Sequence, residues 1–414
     1  MADMTHTFFH IDVNSAFLSW TALEWLHLGK DVDLRSVPSI VGGDVEKRHG
    51  IVLAKSVPAK AYHITTGEPV VSALRKCPGL IVASPDHDMY EQQSHQLMTY
   101  LQTISPFIEQ VSIDECYMDA DSILSSYSSA LLAARFIRDS VHEKFGFTVN
   151  IGISDRKILA KMASDFQKPN KIHTLYHKEI QEKMWPLPVS SLFLCGKSAT
   201  RELKKLEILT IGDLAKTDPE ILSLNLKSQG LLLWRYANGI DDSLVNPVRN
   251  DLKGIGNSMT LVKDALTPSD VYGCLRKLCD TVSKRLREAK SIPSMISVEI
   301  KYSTFVRNTH QMTLKNPTNT STELFAYSCL LFDEMWDGTP VRLLGVRTTK
   351  FTGQDSQSVQ LSLFDTPSIV SAHTRYQKLD AALDHLTDKY GMGIVKRAGQ
   401  LLENSEDCAS SSKK

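Results

Sequence analysis

Residues 111–119 read VSIDECYMD. Two adjacent acids, Asp114 and Glu115, stand inside an apolar run, with Val111 and Ile113 before them and Cys116, Tyr117 and Met118 after. In a regular strand neighbouring side chains point to opposite faces, so one carboxylate would face the core. An unpaired charge there is very costly. The conflict disappears if VSI and CYM are two strands and Asp-Glu is the turn between them, because both side chains then project past the sheet edge. A third acid has similar surroundings: Asp12 follows Phe8, Phe9 and Ile11 at the end of a short apolar run. Three carboxylates at strand ends can hold two divalent cations about 3.5–4 Å apart. Hard oxygen ligands without histidine or cysteine favour Mg²⁺ over zinc. A solvated turn, with Asp12 as a helix N-terminal acid, is the competing reading of the same spacing.

Outward from these acids, the first 185 residues alternate strand and helix patterns. Strands are expected at 7–13, 51–54, 80–83 and 148–153. Helices are expected at 15–28, 87–104, 124–145 and 157–166, from apolar residues at helical spacing. Residues 186–240 change to short Leu-rich helices with turn signals at Gly196, Gly212 and Pro219, and the polar stretch 241–253 reads as a linker. From 254 to 351 the pattern is β-α-β-β-α-β, with strands at 258–262, 295–304, 311–314 and 341–350 and helices at 269–290 and 323–336. Beyond 352 the chain is polar except for QLSLF at 360–364, a helix pattern over 376–399 and a Ser- and charge-rich end. The fold class is therefore α+β and multidomain.

Composition adds boundaries. The 414 residues carry 42% hydrophobic content, enough for several domains each with its own core. Lys+Arg and Asp+Glu are both 47, so global charge says nothing about a polyanionic partner. Its distribution says more: residues 1–195 hold 18 basic and 22 acidic residues, 196–310 hold 18 and 13, and 311–414 hold 11 and 12. The basic excess in the middle suits a phosphate-contacting surface. Seven cysteines without a CxxC pair argue against a disulfide framework or a zinc site. The N-terminus lacks the basic and apolar regions of a signal peptide, and no apolar run is long enough for a membrane span. A cytoplasmic protein with no membrane partner is expected.

FFHIDVNSAFLSW (8–20), VSIDECYMD (111–119) and NIGISDRKILAKMASDFQKPN (150–170) together resemble the Y-family DNA polymerases, on the bacterial UmuC/DinB-like (ImpB/MucB/SamB) branch that performs translesion synthesis. The three motifs come in the family's order and spacing, and the matching architecture spans roughly residues 5–351. The resemblance implies a polymerase right hand. Palm and fingers cover 1–185, with the fingers at roughly 26–84, and a thumb with a helix-hairpin-helix covers 186–240. A linker at 241–253 and a β-α-β-β-α-β little finger at 254–351 follow, then a tail at 352–414. It also implies roles. Asp12, Asp114 and Glu115 would be the catalytic carboxylates, holding two Mg²⁺ ions with the backbone carbonyl of Val13. Phe17, five residues after Asp12, matches the aromatic gate that excludes a ribose 2′-hydroxyl. Lys168 matches the triphosphate-contacting lysine. Lys60 falls where many relatives have an arginine over the incoming nucleotide, but Val57 and Ala54 depart from the usual tyrosine and threonine nearby.

Primed template DNA and dNTPs are the implied partners. In the thumb, Gly196, Lys197 and Gly212 would offer helix-start contacts to DNA phosphates. In the little finger, Lys263, Lys301, Arg307, Arg342 and Arg347 are candidate phosphate ligands. Gln360, Leu361, Ser362, Leu363 and Phe364 resemble the peptide that binds the bacterial sliding clamp, the β subunit, through an apolar groove. A monomer is expected apart from the clamp and accessory proteins. VGGDVEKRHG (41–50) superficially matches the GGDEF motif of palm-fold cyclases but lacks its acidic end, so it reads as a loop. A cyclase and a non-catalytic DNA- and clamp-binding scaffold are the rival functions.

Overall fold

The computed structural model describes residues 6–43, 50–248, 252–352, 367–391 and 395. The chain divides into two compact units, broadly the residues before and after position 250. No helix among the described residues is long and apolar enough to cross a membrane. Six cysteines in the described residues are free thiols.

The first unit opens with β1 (Phe8–Val13) and α1 (Ala16–His27), then β2 (Ser39–Gly42), β3 (Val52–Lys55), α2 (Val57–Lys60), α3 (Val70–Lys76) and β4 (Ile81–Ala83). It continues with α4 (His87–Ile104), β5 (Ile108–Gln110), β6 (Glu115–Asp119), α5 (Asp121–Leu124) and α6 (Ala130–Phe145). Next come β7 (Val149–Ser154), α7 (Lys157–Ser164), β8 (Ile172–Thr174) and α8 (Ile180–Lys183). The Leu-rich helices α9 (Lys197–Lys205), α10 (Ile211–Lys216) and α11 (Pro219–Ala237) complete it. Five strands form one sheet in the order β5-β6-β1-β7-β8, and β3-β2-β4 form a smaller one.

Alternation along β1 decides what the large sheet carries. Phe9, Ile11 and Val13 enter a core with Cys116, Met118, Ile151 and Ile153 and with residues of α4 and α6. His10 and Asp12 therefore face the opposite side, where α7 lies. A side chain at Gly152 would forbid that packing, since its Cβ would fall 1.9 Å from the Ala160 carbonyl oxygen and 2.6 Å from the Ser164 nitrogen. The other side of α7 shares a core with the Leu-rich helices: Ile158, Leu159, Met162 and Ala163 pack with Leu203, Leu214, Leu222 and Leu233.

Three local expectations change. The helix expected over 124–145 begins at Ala130, because Ser129 caps it by accepting from the Leu132 N–H at 3.3 Å. The polar residues 241–246 are fastened rather than free. Asp241 accepts from the Ile158 N–H (2.9 Å), and Glu109 accepts from the Asn246 N–H (2.8 Å). The strand expected over 111–113 is instead part of a turn, because β5 ends at Gln110 and β6 starts at Glu115.

The second unit follows the expected β-α-β-β-α-β order: β9 (Gly254–Ala265), α12 (Pro268–Glu288), β10 (Ile292–Tyr302), β11 (Arg307–Thr313), α13 (Ser321–Met335) and β12 (Val341–Thr352). The sheet order is β11-β10-β12-β9, with α12 and α13 against the face that carries Ile296, Val298, Ile300, Leu344 and Val346. A further helix, α14 (Pro367–Tyr390), starts nine residues earlier than the pattern at 376 suggests and is fastened to α12 and α13 by polar groups. The Arg287 guanidinium donates to both carboxylate oxygens of Asp384 (2.6 and 2.8 Å), and Asp380 accepts from the Ser321 N–H at 2.8 Å. Asp380 thus caps α13 from outside its own helix. Glu323 accepts from His373 at 2.8 Å.

This last pair makes the docking of α14 pH-dependent. The Glu323 contact raises the His373 pKa above 6.5, so that contribution is complete below pH 6.5 and fades as pH rises through the raised value. The Glu323 pKa lies below 4.5: burial alone would raise it, and hydrogen bonds from His373, Thr318 and Thr320 outweigh that. Its contribution is complete above pH 4.5 and fades as pH falls through the lowered value. Amide-exchange protection of α14 should therefore peak between about pH 4.5 and 6.5. Protection that keeps increasing above pH 7 would contradict this.

Candidate active site

Register brings the two outermost acids of the motifs face to face. β1 runs antiparallel to β6 with Asp12 opposite Glu115 and His10 opposite Tyr117. Like charges opposite each other in a sheet destabilise it, and these two are largely buried. Lys161, from α7, places its ammonium between them, 2.6 Å from Glu115 Oε2 and 3.6 Å from Asp12 Oδ2. Lys168 reaches Asp12 Oδ1 at 3.1 Å and Asp165 at 2.9 Å. His10 stands beneath, with Nε2 3.4 Å from Glu115 Oε2 and Nδ1 2.8 Å from the Ser164 hydroxyl.

The electrostatics follow from burial and these partners. Burial raises the Asp12 carboxyl above its ordinary value, against the opposing pull of Lys168 and Lys161. The His10 imidazole and the Lys161 ammonium hold Glu115 down at about 2. Burial lowers the His10 pKa below its ordinary value, against the opposing pull of Glu115 and Asp12. Burial works against both lysine cations, but their carboxylate contacts outweigh it and both pKa values are raised.

Asp114 sits apart from this cluster. It lies in the turn before β6, where its backbone carbonyl accepts from the Val13 N–H at 3.0 Å and its carboxylate accepts from the Ser112 hydroxyl at 2.6 Å. The turn thus joins the β1 end by backbone, while the two acids of the motif take different surroundings: Glu115 is already in the strand. Oxygen and nitrogen atoms of His10, Asp12 and Glu115 lie within 4.8 Å of one another, a set able to hold a cation. Buried carboxylates that need ammonium groups beside them fit a divalent ion, and their hard oxygens suit Mg²⁺. His10 adds a nitrogen neighbour where no histidine was expected.

The loop after α7 is held from two sides. Asn150, opposite Asp12 in the sheet, donates to the carbonyls of Ser164 (2.9 Å) and Gln167 (2.7 Å). Asn14 accepts from the Asn170 N–H at 2.8 Å. These bonds set the position from which Lys168 turns back to Asp12. Phe17 is half-buried on α1, stacked on Tyr90 with ring centroids 4.6 Å apart. The Tyr90 hydroxyl is 2.8 Å from Thr21, which also bonds the Phe17 carbonyl. Lys60 ends α2 on the small sheet's side and is exposed.

Residues 11–165 match the impB/mucB/samB family, and residues 252–363 match the impB/mucB/samB family C-terminal domain. The DNA polymerase IV of Clostridium acetobutylicum is 45% identical over 403 residues, which cover 97% of this chain and 100% of that relative. The chain belongs to the impB/mucB/samB family. DNA polymerase IV 1 of Bacillus subtilis is 34% identical across 97% of this chain and 94% of its own length. The solved Y-family DNA polymerase chimera Dbh-Dpo4(243-245)-Dbh shares the fold, with a TM-score of 0.75 over 84% of this chain and 99% of that one at 21% identity. The resemblance carried by the three motifs is therefore borne out.

Within this family frame, the remaining sequence candidates separate. Gly196 caps α9 and opens a basic groove of about 520 Å³ with Lys197, Thr200, Arg201 and Lys204. Gly212 does not offer a free N–H: it donates to the Trp185 carbonyl at 3.0 Å, and Trp185 packs where its Cβ would be. Glycine there serves helix packing, which corrects its expected phosphate contact. In the second unit Arg347 lies on the open sheet face with Gly254, Gly256 and Ser297. Lys301 and Arg342 gather over the Phe305 ring at 4.4 and 4.9 Å, and Arg307 donates to Glu299 at 2.7 Å. Lys263 is exposed on β9. Residues 360–364 lie outside the described residues.

Sequence reasoning missed Lys161 and His10. Their signal was present: a lone lysine in the apolar run ILAKMAS, and a histidine two residues before Asp12, hence on its face.

Proposed function

We propose that this protein is a DNA-directed DNA polymerase that extends a primer on a template and works in lesion bypass, within DNA repair and the SOS response. The observation that supports this most is the Asp12–Glu115 carboxylate pair across β1 and β6, with two lysines beside it, in a chain of the impB/mucB/samB family. Asp12, Asp114, Glu115 and the backbone carbonyl of Val13 are the groups that would hold two Mg²⁺ ions. When bound, these ions supply Lewis acidity to the primer 3′-hydroxyl and neutralise charge developing on the phosphates. Phe17, braced by Tyr90, occupies the space that a ribose 2′-hydroxyl needs. Lys168 pairs with the triphosphate of the incoming nucleotide, and Lys60 approaches it from the fingers.

Template and primer are held through phosphates. The groove at Gly196 and Lys197 takes one part of the backbone. Arg347, with Lys263, Lys301, Arg307 and Arg342, takes another on the open sheet of the second unit. Residues 360–364 bind the sliding clamp by their Gln-Leu-x-Leu-Phe pattern. The protein acts in the cytoplasm, as a monomer apart from the clamp.

Primer extension with Mg²⁺ tests the chemistry. Asp114→Ala should lose roughly a thousandfold in rate, the several kcal/mol that a catalytic metal provides. Phe17→Ala should raise ribonucleotide incorporation about tenfold, since discrimination by fit is worth one to a few kcal/mol. Equal extension by wild type and Asp114→Ala would rule the mechanism out.

The salt dependence of binding to a primed duplex tests the sheet. Replacing Arg347 by alanine should lower the slope of log affinity against log salt by about 1. An unchanged slope removes Arg347 from the phosphate contacts.

Deleting residues 360–364 should abolish stimulation by the clamp and leave basal extension intact. Loss of basal extension as well would mean that the peptide belongs to the fold.

A further inference from the structure

Lys161 is the feature of the site that the proposed chemistry leaves unused. Every residue of α7 is buried, and Lys161 is only 8% exposed. Burying a lysine is costly unless its charge is met, so its position must be compensated locally. The compensation is the acid cluster itself. Lys161 Nζ lies 2.6 Å from Glu115, 3.6 Å from Asp12 and 3.6 Å from Asp165. Its reach is set by Gly152, which brings the α7 backbone against the sheet. Lys168 differs: its side chain is about a third exposed and leaves α7 through a loop, so it is free to follow a ligand. Lys161 has no comparable exit, because its helix is packed on both sides.

We propose that Lys161 is a built-in counter-cation for the catalytic carboxylates, which holds Asp12 and Glu115 together before a divalent ion binds and competes with that ion for them. The inference rests on the reading of Asp12 and Glu115 as metal ligands. Two carboxylates opposite each other on a buried face repel, and an ammonium fixed by the fold relieves the repulsion without waiting for metal. The same ammonium opposes a second cation at the same oxygens. Metal affinity in the absence of DNA and nucleotide is therefore held down, and full occupancy waits for the negative charge of a triphosphate. Lys161 acts here as a positioning residue.

The test uses the full chain without DNA or nucleotide and measures Mn²⁺ binding from the loss of the free-ion electron paramagnetic resonance signal. Lys161→Met keeps the side-chain length and removes the charge. It should bind Mn²⁺ about tenfold more tightly, since a unit charge a few ångströms from the site is removed. Its thermal midpoint in EDTA should fall, and saturating Mn²⁺ should restore much of that loss. Lys161→Arg should keep wild-type affinity. A merely structural lysine predicts the opposite sign, because a loosened site binds metal less well. Unchanged or weaker Mn²⁺ binding by a folded Lys161→Met therefore overturns the inference. Asp12→Asn separates the two layers. If it abolishes Mn²⁺ binding while Lys161→Met does not tighten it, the metal site stands and the counter-cation role falls. If Asp12→Asn leaves Mn²⁺ binding intact, the reading of Asp12 as a ligand falls, and this inference with it.

Discussion

Two carboxylates face each other across adjacent strands on a buried sheet face, and the rest of the first unit is arranged around that constraint. Asp12 and Glu115 cannot both stay ionised there without cations. α7 supplies one of them at close range, and it can do so because position 152 carries no side chain. The strand opposite Asp12 also contributes Asn150, whose amide fixes the loop that returns Lys168 to the same carboxylate. A glycine, an asparagine and two lysines of the one motif at 150–170 thus serve one electrostatic requirement.

α7 transmits this arrangement further. One side rests on the sheet, and the other shares a core with the Leu-rich helices. Its first turn is bonded by Asp241, and Lys157 spans Glu109 (2.6 Å) and the Leu244 carbonyl (3.2 Å). A polar stretch that looks like a free tether therefore begins as part of the first unit. The second unit handles buried charge in a related way. Arg287 and the N-terminus of α13 take the carboxylates of α14, so a helix with exposed Leu379, Leu386 and Tyr390 is held by its polar side.

Much of this was legible in the residues. Strong periodicity located β1, α4, β7 and α7 to within a residue or two, and the β-α-β-β-α-β order of the second unit was readable from alternation and caps. The reading erred where short polar or apolar runs admit two local structures. Val111 and Ile113 look like strand residues yet form a turn, and Ser125 to Ser129 look continuous with a helix yet end before it. Gly212 carries a helix-start signal, but Trp185 decides its use.

The sequence by itself determined the family and the α+β architecture and singled out the candidate acids, because motif order and side-chain periodicity are local properties of a chain. Tertiary structure alone decided their surroundings. Register put Glu115, and not Asp114, opposite Asp12. The close approach at Gly152 put a buried lysine between the two, and the aromatic ring of Tyr90 came under Phe17. The carboxylates, the lysine and the rings joined in this way lie dozens of positions or more apart, though Gly152 is only eight and twelve positions from the α7 residues it meets. Their energies depend on distance and burial, which a linear pattern does not carry.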